Sequence, residues 1–330
     1  MKIAIITITD DAQVLAFRLA VRLEDDPTVI TVSIFHKNVK NALEVAFREY
    51  DCIICIMAAG IVVRNICGLI KNKMEDPAVI VMDDAGKHVI SLLSGHFGGA
   101  NSIALKTAEI IGAKPVITTA TDVHGKIGID TIAGKYFLDI DDPGRIKGIN
   151  NALLEDKTPD LYIPERFNFI FDDPLITSSY NEYKSVDDHL KAVFEDNEII
   201  LKPKKLVAGI GARKGVSQAM VQKAIEGMIY QLDLFVERID AISTAEIKQH
   251  ESGIIETALK LDLPLEIVSM DKIKNFNDPQ CSKSDFVKDK FGVYGISEPS
   301  ALIAAGKGSK LIFRKTAFNG VTVALAVSSN

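Results

Sequence analysis

The sequence predicts an α/β protein, with two α/β domains of mostly parallel sheet joined by a small linker domain. Three observations lead there. Short β-branched runs alternate with amphipathic stretches across roughly the first 135 residues, the pattern of strands buried beneath covering helices. The alternation resumes at Lys204. Between the two, Asp139, Asp141, Asp142, Pro143, Pro159, Pro164, Asp172, Asp173 and Pro174 interrupt short apolar pieces, so 136–203 reads as a linker domain between 1–135 and 204–330. The length of 330 residues agrees, since roughly 150 residues per domain gives about two.

In order, residues 2 to 9 read as a strand, 12 to 23 as a helix, 29 to 35 as a strand, 39 to 48 as a helix and 52 to 57 as a buried strand. Strands follow at Ala78 to Met82 and Val89 to Leu93, then a helix from Ala100 to Ile111 that stops at Gly112, and a strand from Pro115 to Thr118. In the last domain the pattern gives a strand from Leu206 to Ile210, helices at Ser217 to Tyr230 and Gly253 to Leu261, and a strand from Leu265 to Val268. A helix opening near Glu298 and strands at Leu311 to Phe313 and Val321 to Val327 close it. No repeat recurs at the 20 to 50 residue periods of solenoids.

Charge and composition remove several function classes. The 38 Lys and Arg against 44 Asp and Glu leave a net charge of −6, so no global field draws the chain to nucleic acid or anionic lipid. Hydrophobic residues at 47% and charged residues at 25% belong to an ordinary globular protein. The β-branched start reads as a strand rather than a signal peptide, and no apolar run is long enough to span a bilayer, so a cytoplasmic location and no membrane partner are expected. The one C-x-x-C pair, Cys52 and Cys55, lies inside an apolar run. Residues three apart on a strand face opposite sides, so a reduced core strand is expected there rather than a metal site or disulfide.

The segments that carry chemistry sit at strand ends. Leu93-Ser94-Gly95-His96-Phe97-Gly98-Gly99-Ala100-Asn101 is strand, glycine-rich turn, then helix, an arrangement that presents backbone N–H groups to anions. It lacks both phosphate-loop and dinucleotide spacing. His96 within it is open to three roles: general base, metal ligand, or hydrogen bonder at a helix terminus. Upstream, Asp83 to His88 reads as a polar hairpin turn in which Asp84 and His88 are candidate ligand contacts. Downstream, Thr118 to Gly125 follows a strand end and offers the Thr119 and Thr121 hydroxyls with Asp122. Gly60 opens a small-residue turn before Arg64, a carboxylate partner. In the last domain Gly209, Gly211, Arg213 and Lys214 combine close glycines with two cations at a strand end. Lys248, Glu251 and Glu298 stand beside helix starts, where capping competes with a ligand role.

These residues resemble the cobalt-precorrin-5A hydrolase family of the anaerobic cobalamin pathway, over nearly the whole chain. The resemblance rests on Met57 to Arg64, Asp76 to Val79, Leu92 to His96, Gly98 to Asn101 and Thr118 to Asp122. In the last domain it rests on Gly209 to Gly211, Arg213 to Gly215, Lys248 with Glu251, and Glu298 with Ala301 and Leu302. Ala212 stands where many relatives carry Cys, so no thiol role is expected there. The resemblance implies opening of a δ-lactone on a cobalt-tetrapyrrole substrate and release of its two-carbon bridge as acetaldehyde, giving cobalt-precorrin-5B. It implies His96 as base with Ser94 and Asp122 as further catalytic residues, and the Ser94 to Asn101 turn as oxyanion site. Gly60, Gly95 and Thr119 would converge on that one site. No cofactor or protein metal is implied, because the substrate carries the cobalt. Neighbouring pathway methyltransferases and a second copy of the chain are candidate partners. A non-catalytic corrinoid carrier and a nucleotide-dependent α/β enzyme are the competing readings.

Overall fold

The computed structural model describes residues 1–72 and 74–329. Its contacts form two compact units, Met1–Lys202 and the chain from Pro203 onward. The first opens with β1 (Lys2–Thr7), α1 (Asp10–Glu24), β2 (Thr31–His36), α2 (Val39–Glu49), β3 (Cys52–Ile56), α3 (Ala59–Ile66), β4 (Ala78–Met82), β5 (His88–Leu93), α4 (Ala100–Ile111) and β6 (Lys114–Val116). The strands form one sheet in the order β2-β1-β3-β4-β5-β6.

Local chemistry sets these elements. Thr9 caps α1 by accepting from the Ala12 N–H, and Asp10 and Asp11 complement the positive helix start. Helix α4 begins after Gly99 and ends at Gly112, both with positive φ that a side chain would oppose. Ala12, Ala16, Leu19 and Leu23 of α1 pack with α4 on one sheet face, over Ile3, Ile5, Cys52 and Ile54. Ala42, Leu43 and Val62 of α2 and α3 cover the other, over Ala4, Ile6, Ile53 and Cys55. Each Leu or Ile buried this way contributes about 1.5–3 kcal/mol.

Cys52 and Cys55 therefore point to opposite faces, and burial pushes the Cys55 thiol up to about 12. Burial, followed by the nearby Glu298 and Asp278 carboxylates, does the same to the half-buried Cys281, while Cys67 is exposed. A thiol-labelling experiment at pH 8 should modify Cys67 rapidly in the native protein and the other three only after denaturation. Rapid native labelling of Cys52 or Cys55 would contradict this core.

Strands β1 to β4 run parallel, but the hairpin after β4 reverses β5, and β6 pairs parallel with β5. This reversal corrects the expected convergence. The Gly95 and Thr119 regions follow β5 and β6 and so lie at the end where β4 begins; the Gly98 Cα is folded so close that an added Cβ would be 3.4 Å from the Ala78 nitrogen. Gly60 follows β3 and lies at the opposite end. The six residues of β5, at about 3.4 Å each, separate the two ends by about 20 Å.

The middle segment is more regular than its composition suggests. After α5 (Ala120–Val123) and α6 (Ile129–Lys135) come β7 (Leu138–Ile140), α7 (Ile146–Leu154), β8 (Asp160–Pro164), α8 (Pro174–Ser179), β9 (Asn181–Ser185), β10 (Leu190–Phe194) and β11 (Asn197–Pro203). They build a second sheet in the order β7-β11-β10-β8-β9. Edge strand β9, Asn-Glu-Tyr-Lys-Ser, is largely exposed and has no apolar alternation to betray it. The buried Tyr180 hydroxyl donates to the Ile127 carbonyl at 3.1 Å, tying this segment to the chain that leaves α5.

The second unit contains β12 (Leu206–Ala212), α9 (Gln218–Gln231), β13 (Ala241–Ala245), α10 (Ser252–Lys260), β14 (Leu265–Val268), α11 (Met270–Asn275), α12 (Asp285–Phe291), α13 (Ser297–Ala305), β15 (Lys310–Phe318) and β16 (Val321–Val327). The sheet order is β14-β13-β12-β16-β15, with β12, β13 and β14 parallel and the last two strands antiparallel. Strand β13, Ala-Ile-Ser-Thr-Ala, is wholly buried and mixes small with polar residues, so its sequence carries no strand alternation. Among the described residues no helix is long and apolar enough to cross a membrane.

Candidate active site

A polar cluster occupies the sheet end beyond β5 and β6, and His96 is its centre. The imidazole is 10% exposed and lies between two carboxylates: Nε2 is 2.7 Å from Asp122 Oδ2, and Nδ1 is 3.4 Å from Asp130 Oδ2. The Thr121 hydroxyl is also 3.2 Å from Nε2. Asn101, from the first turn of α4, donates through Nδ2 to Thr119 Oγ1 at 3.0 Å and to Asp122 Oδ2 at 3.1 Å. Its Oδ1 accepts from the Ser91 hydroxyl at 2.6 Å. Gly95 makes room for this, since a Cβ there would be 2.7 Å from Asn101 Oδ1.

Burial opposes a charge on His96, but the hydrogen bonds and negative charges of Asp130 and Asp122 together outweigh it and hold the imidazole above its ordinary value. Both ring nitrogens face carboxylate oxygens, a setting that favours the imidazolium, which can donate in both directions. The pair of carboxylates suits His96 to give a proton as well as to take one, and Asp122, 40% exposed, is open to water. Part of the expected oxyanion turn is already committed to the fold. The N–H groups of Gly99, Ala100 and Asn101 already donate to the carbonyls of His96, Ser94 and Gly95 at 3.0, 3.1 and 3.0 Å, so these three are not offered to a ligand. Ser94 has φ +57°, and its hydroxyl is buried without a hydrogen-bond partner among the described residues. It does not reach His96. Gly98 is required because a Cβ there would press on the Ser94 Cβ at 2.5 Å.

The other predicted residues of this unit lie elsewhere. Asp84 and His88 line a cavity of about 500 Å³ at the carboxyl ends of β1, β3 and β4, with Thr9, Met57, Ala59 and Ile61. Strand order reverses between β1 and β3 there, the usual crevice of an open α/β sheet. His88 Nδ1 is 3.6 Å from Asp83 Oδ2, whose three backbone donors, at Ala85, Lys87 and His88, outweigh its burial and keep the carboxyl ionised below the usual range. Gly60 lies at the same end, and the Arg64 guanidinium folds back toward it along α3. This crevice and the His96 cluster are at opposite ends of one sheet.

In the second unit, the exposed Arg213 and Lys214 precede Gly215, whose N–H donates to Glu251 Oε2 at 3.0 Å. Lys248 Nζ donates to Glu251 Oε1 at 3.0 Å. The Gly215 backbone bond does most to hold the Glu251 carboxyl low; burial opposes it, and the Lys248 hydrogen bond and charge add to the lowering. Gly209 and Gly211 lie within β12 and have packing reasons for their size. A Cβ on Gly209 would overlap the Ser297 carbonyl, and one on Gly211 would be 2.5 Å from Thr322 Oγ1. Glu298 is fully buried and accepts from Ser282 N–H, Ser282 hydroxyl and Lys315 N–H at 2.8, 2.7 and 3.0 Å, which makes it an internal clasp rather than an open ligand contact. Among the described residues no group of three or more His, Cys, Asp or Glu is arranged to hold a metal.

Comparison with known proteins places this geometry in a lineage. Residues 41–122 match the Cobalamin synthesis G N-terminal family and residues 206–326 the Cobalamin synthesis G C-terminus family. The chain is 38% identical over 292 residues to a Methanocaldococcus jannaschii protein named "Probable cobalt-precorrin-5A hydrolase", covering 86% of this chain and 87% of that one. The chain belongs to the cobalamin synthesis G family. A second member, the cobalt-precorrin-5A hydrolase of Salmonella typhimurium, is 30% identical over 307 residues, covering 87% and 85%. The structure of a cobalamin biosynthesis protein G homolog from Sulfolobus solfataricus superposes with a TM-score of 0.59 at 28% identity, covering 99% of this chain and 97% of that one. The N-terminal family match spans His96, Asn101, Thr119, Thr121 and Asp122 and ends before Asp130 and Asn150, which sequence motifs did not single out.

Proposed function

We propose that the protein is a cobalt-precorrin-5A hydrolase that opens the substrate δ-lactone and then releases acetaldehyde to give cobalt-precorrin-5B. One observation carries the reading: a histidine held between two carboxylates, one of them open to water. Lactone opening needs water made nucleophilic and a proton for the departing ring oxygen. Asp122 takes a proton from water as it adds to the carbonyl carbon. The carbonyl–oxygen bond of the ring then breaks, and His96 Nε2 supplies the proton to the freed oxygen. The hydroxyl so formed is the one whose proton must leave in the next step. His96, now neutral, takes it back, the C=O bond of acetaldehyde forms, the carbon–carbon bond to the macrocycle breaks, and its electron pair passes into the macrocycle. The cobalt travels with the substrate, and the chemistry calls for no nucleotide.

The test is to supply purified protein with cobalt-precorrin-5A under anaerobic conditions and measure trapped acetaldehyde. One acetaldehyde per cobalt-precorrin-5B, without added nucleotide or metal, is the expected result. Tight binding without acetaldehyde would make the protein a carrier instead, and a strict nucleotide requirement would overturn the hydrolytic mechanism.

A further inference from the structure

The His96 cluster does not end at the residues of the first sheet. Asp130, in the first turn of α6, is 4% exposed, and Asn150, on α7 of the middle segment, stands directly behind it. Asn150 Nδ2 donates to Asp130 Oδ1 at 2.9 Å, and Asn150 Oδ1 accepts from the Ile129 N–H at 3.0 Å. The asparagine thus grips the start of α6 by a backbone donor and a side-chain acceptor at once. The other Asp130 oxygen faces His96 Nδ1. Gly128 permits this fit, because a Cβ there would be 2.7 Å from Asp130 Oδ1 and 3.0 Å from Asn150 Nδ2.

A buried carboxylate is useful to a histidine only when its orientation is fixed, since a rotated or protonated acid no longer accepts from the ring. We propose that Asn150 is a positioning residue for His96, acting through Asp130, so that the middle segment helps set the proton affinity of the catalytic imidazole. This rests on the proposed role of His96 for its kinetic consequence, but not for its structural one. The titratable groups facing the imidazole are Asp122 from α5 and Asp130 from α6, with the Tyr180 phenol behind Asp130. Thr121 and Asn101 complete the surroundings and do not titrate. Loss of the Asn150 grip leaves Asp122 in place, so His96 should shift toward its ordinary value rather than collapse.

The experiment follows the six histidine ring resonances of the full-length protein by NMR across pH, with His96 assigned from its absence in His96→Gln. Asn150→Leu removes both polar contacts at similar volume; Gly128→Ala crowds the same hydrogen bond without removing either partner. In both, the His96 titration should move to lower pH by about one unit, a tenfold change in proton affinity. In turnover assays kcat should fall and the alkaline limb of the pH profile should move the same way, with KM little changed. A merely structural role predicts less folded protein, with the His96 titration and the limb where they are in the wild type. If either folded variant keeps the wild-type His96 titration, the proposal fails. Because the NMR readout needs no substrate, it stands apart from the acetaldehyde assay: a wild type that releases no acetaldehyde would overturn the hydrolase reading and leave the positioning claim to be judged on the titration.

Discussion

Replacing His96 by Gln should lower turnover by about 10² to 10⁴-fold, the usual contribution of a positioned acid or base, while the protein stays folded. Gln keeps a hydrogen-bonding group between Asp122 and Asp130 but carries no transferable proton and no charge. The same substitution tests the resting charge through stability. A histidine raised above its unfolded value of about 6.5 contributes stability that is fully present below that pH and is lost as pH rises through the folded value. Wild-type melting temperature should therefore fall across that window relative to His96→Gln, whose own curve should be flatter. Turnover per folded molecule and melting temperature, measured on one preparation, decide the matter. A folded variant with wild-type turnover would eliminate His96 from the chemistry, and equal slopes in the two stability curves would eliminate the imidazolium.

Gly209→Ala should be among the most damaging single-methyl changes in the chain. The α13 backbone crosses β12 so closely that the added carbon overlaps the Ser297 carbonyl and is 2.8 Å from the Ala301 Cβ. A rigid carbonyl cannot rotate aside, so helix and strand must separate, and overpacking of this kind costs about 3 kcal/mol or more. For a chain of this size that is a fall of about 10 °C in melting temperature. Gly211→Ala should cost less, because its obstacle is the Thr322 hydroxyl, a side-chain atom that can turn away. Thermal unfolding of the two variants checks the order. If Gly209→Ala melted like the wild type and lost only ligand binding, the glycine would serve a ligand, as its G-x-G spacing first suggested.

That contrast marks how far each kind of information reaches. Strand and helix positions in the two α/β regions were legible because each buries a face, and burial imposes a period that survives in the sequence: α1, α4, β3 and β16 are found where their apolar pattern places them. His96, Asn101, Thr119, Thr121 and Asp122 were legible as a group because they sit on two neighbouring strand ends close in sequence, and the fold brings them within hydrogen-bond reach. Edge strand β9 was illegible because exposed strands need no apolar alternation. Asp130 and Asn150 left no motif because they stand twenty residues apart on two different helices, and nothing in either helix alone requires the other. The reversal of β5 was written in the Asp83–His88 turn, yet its consequence for the site is a property of the whole sheet. Local patterns record what each segment must bury; which strand end a loop finally shares depends on the direction in which the strands pair, and that is settled by long-range hydrogen bonding between segments.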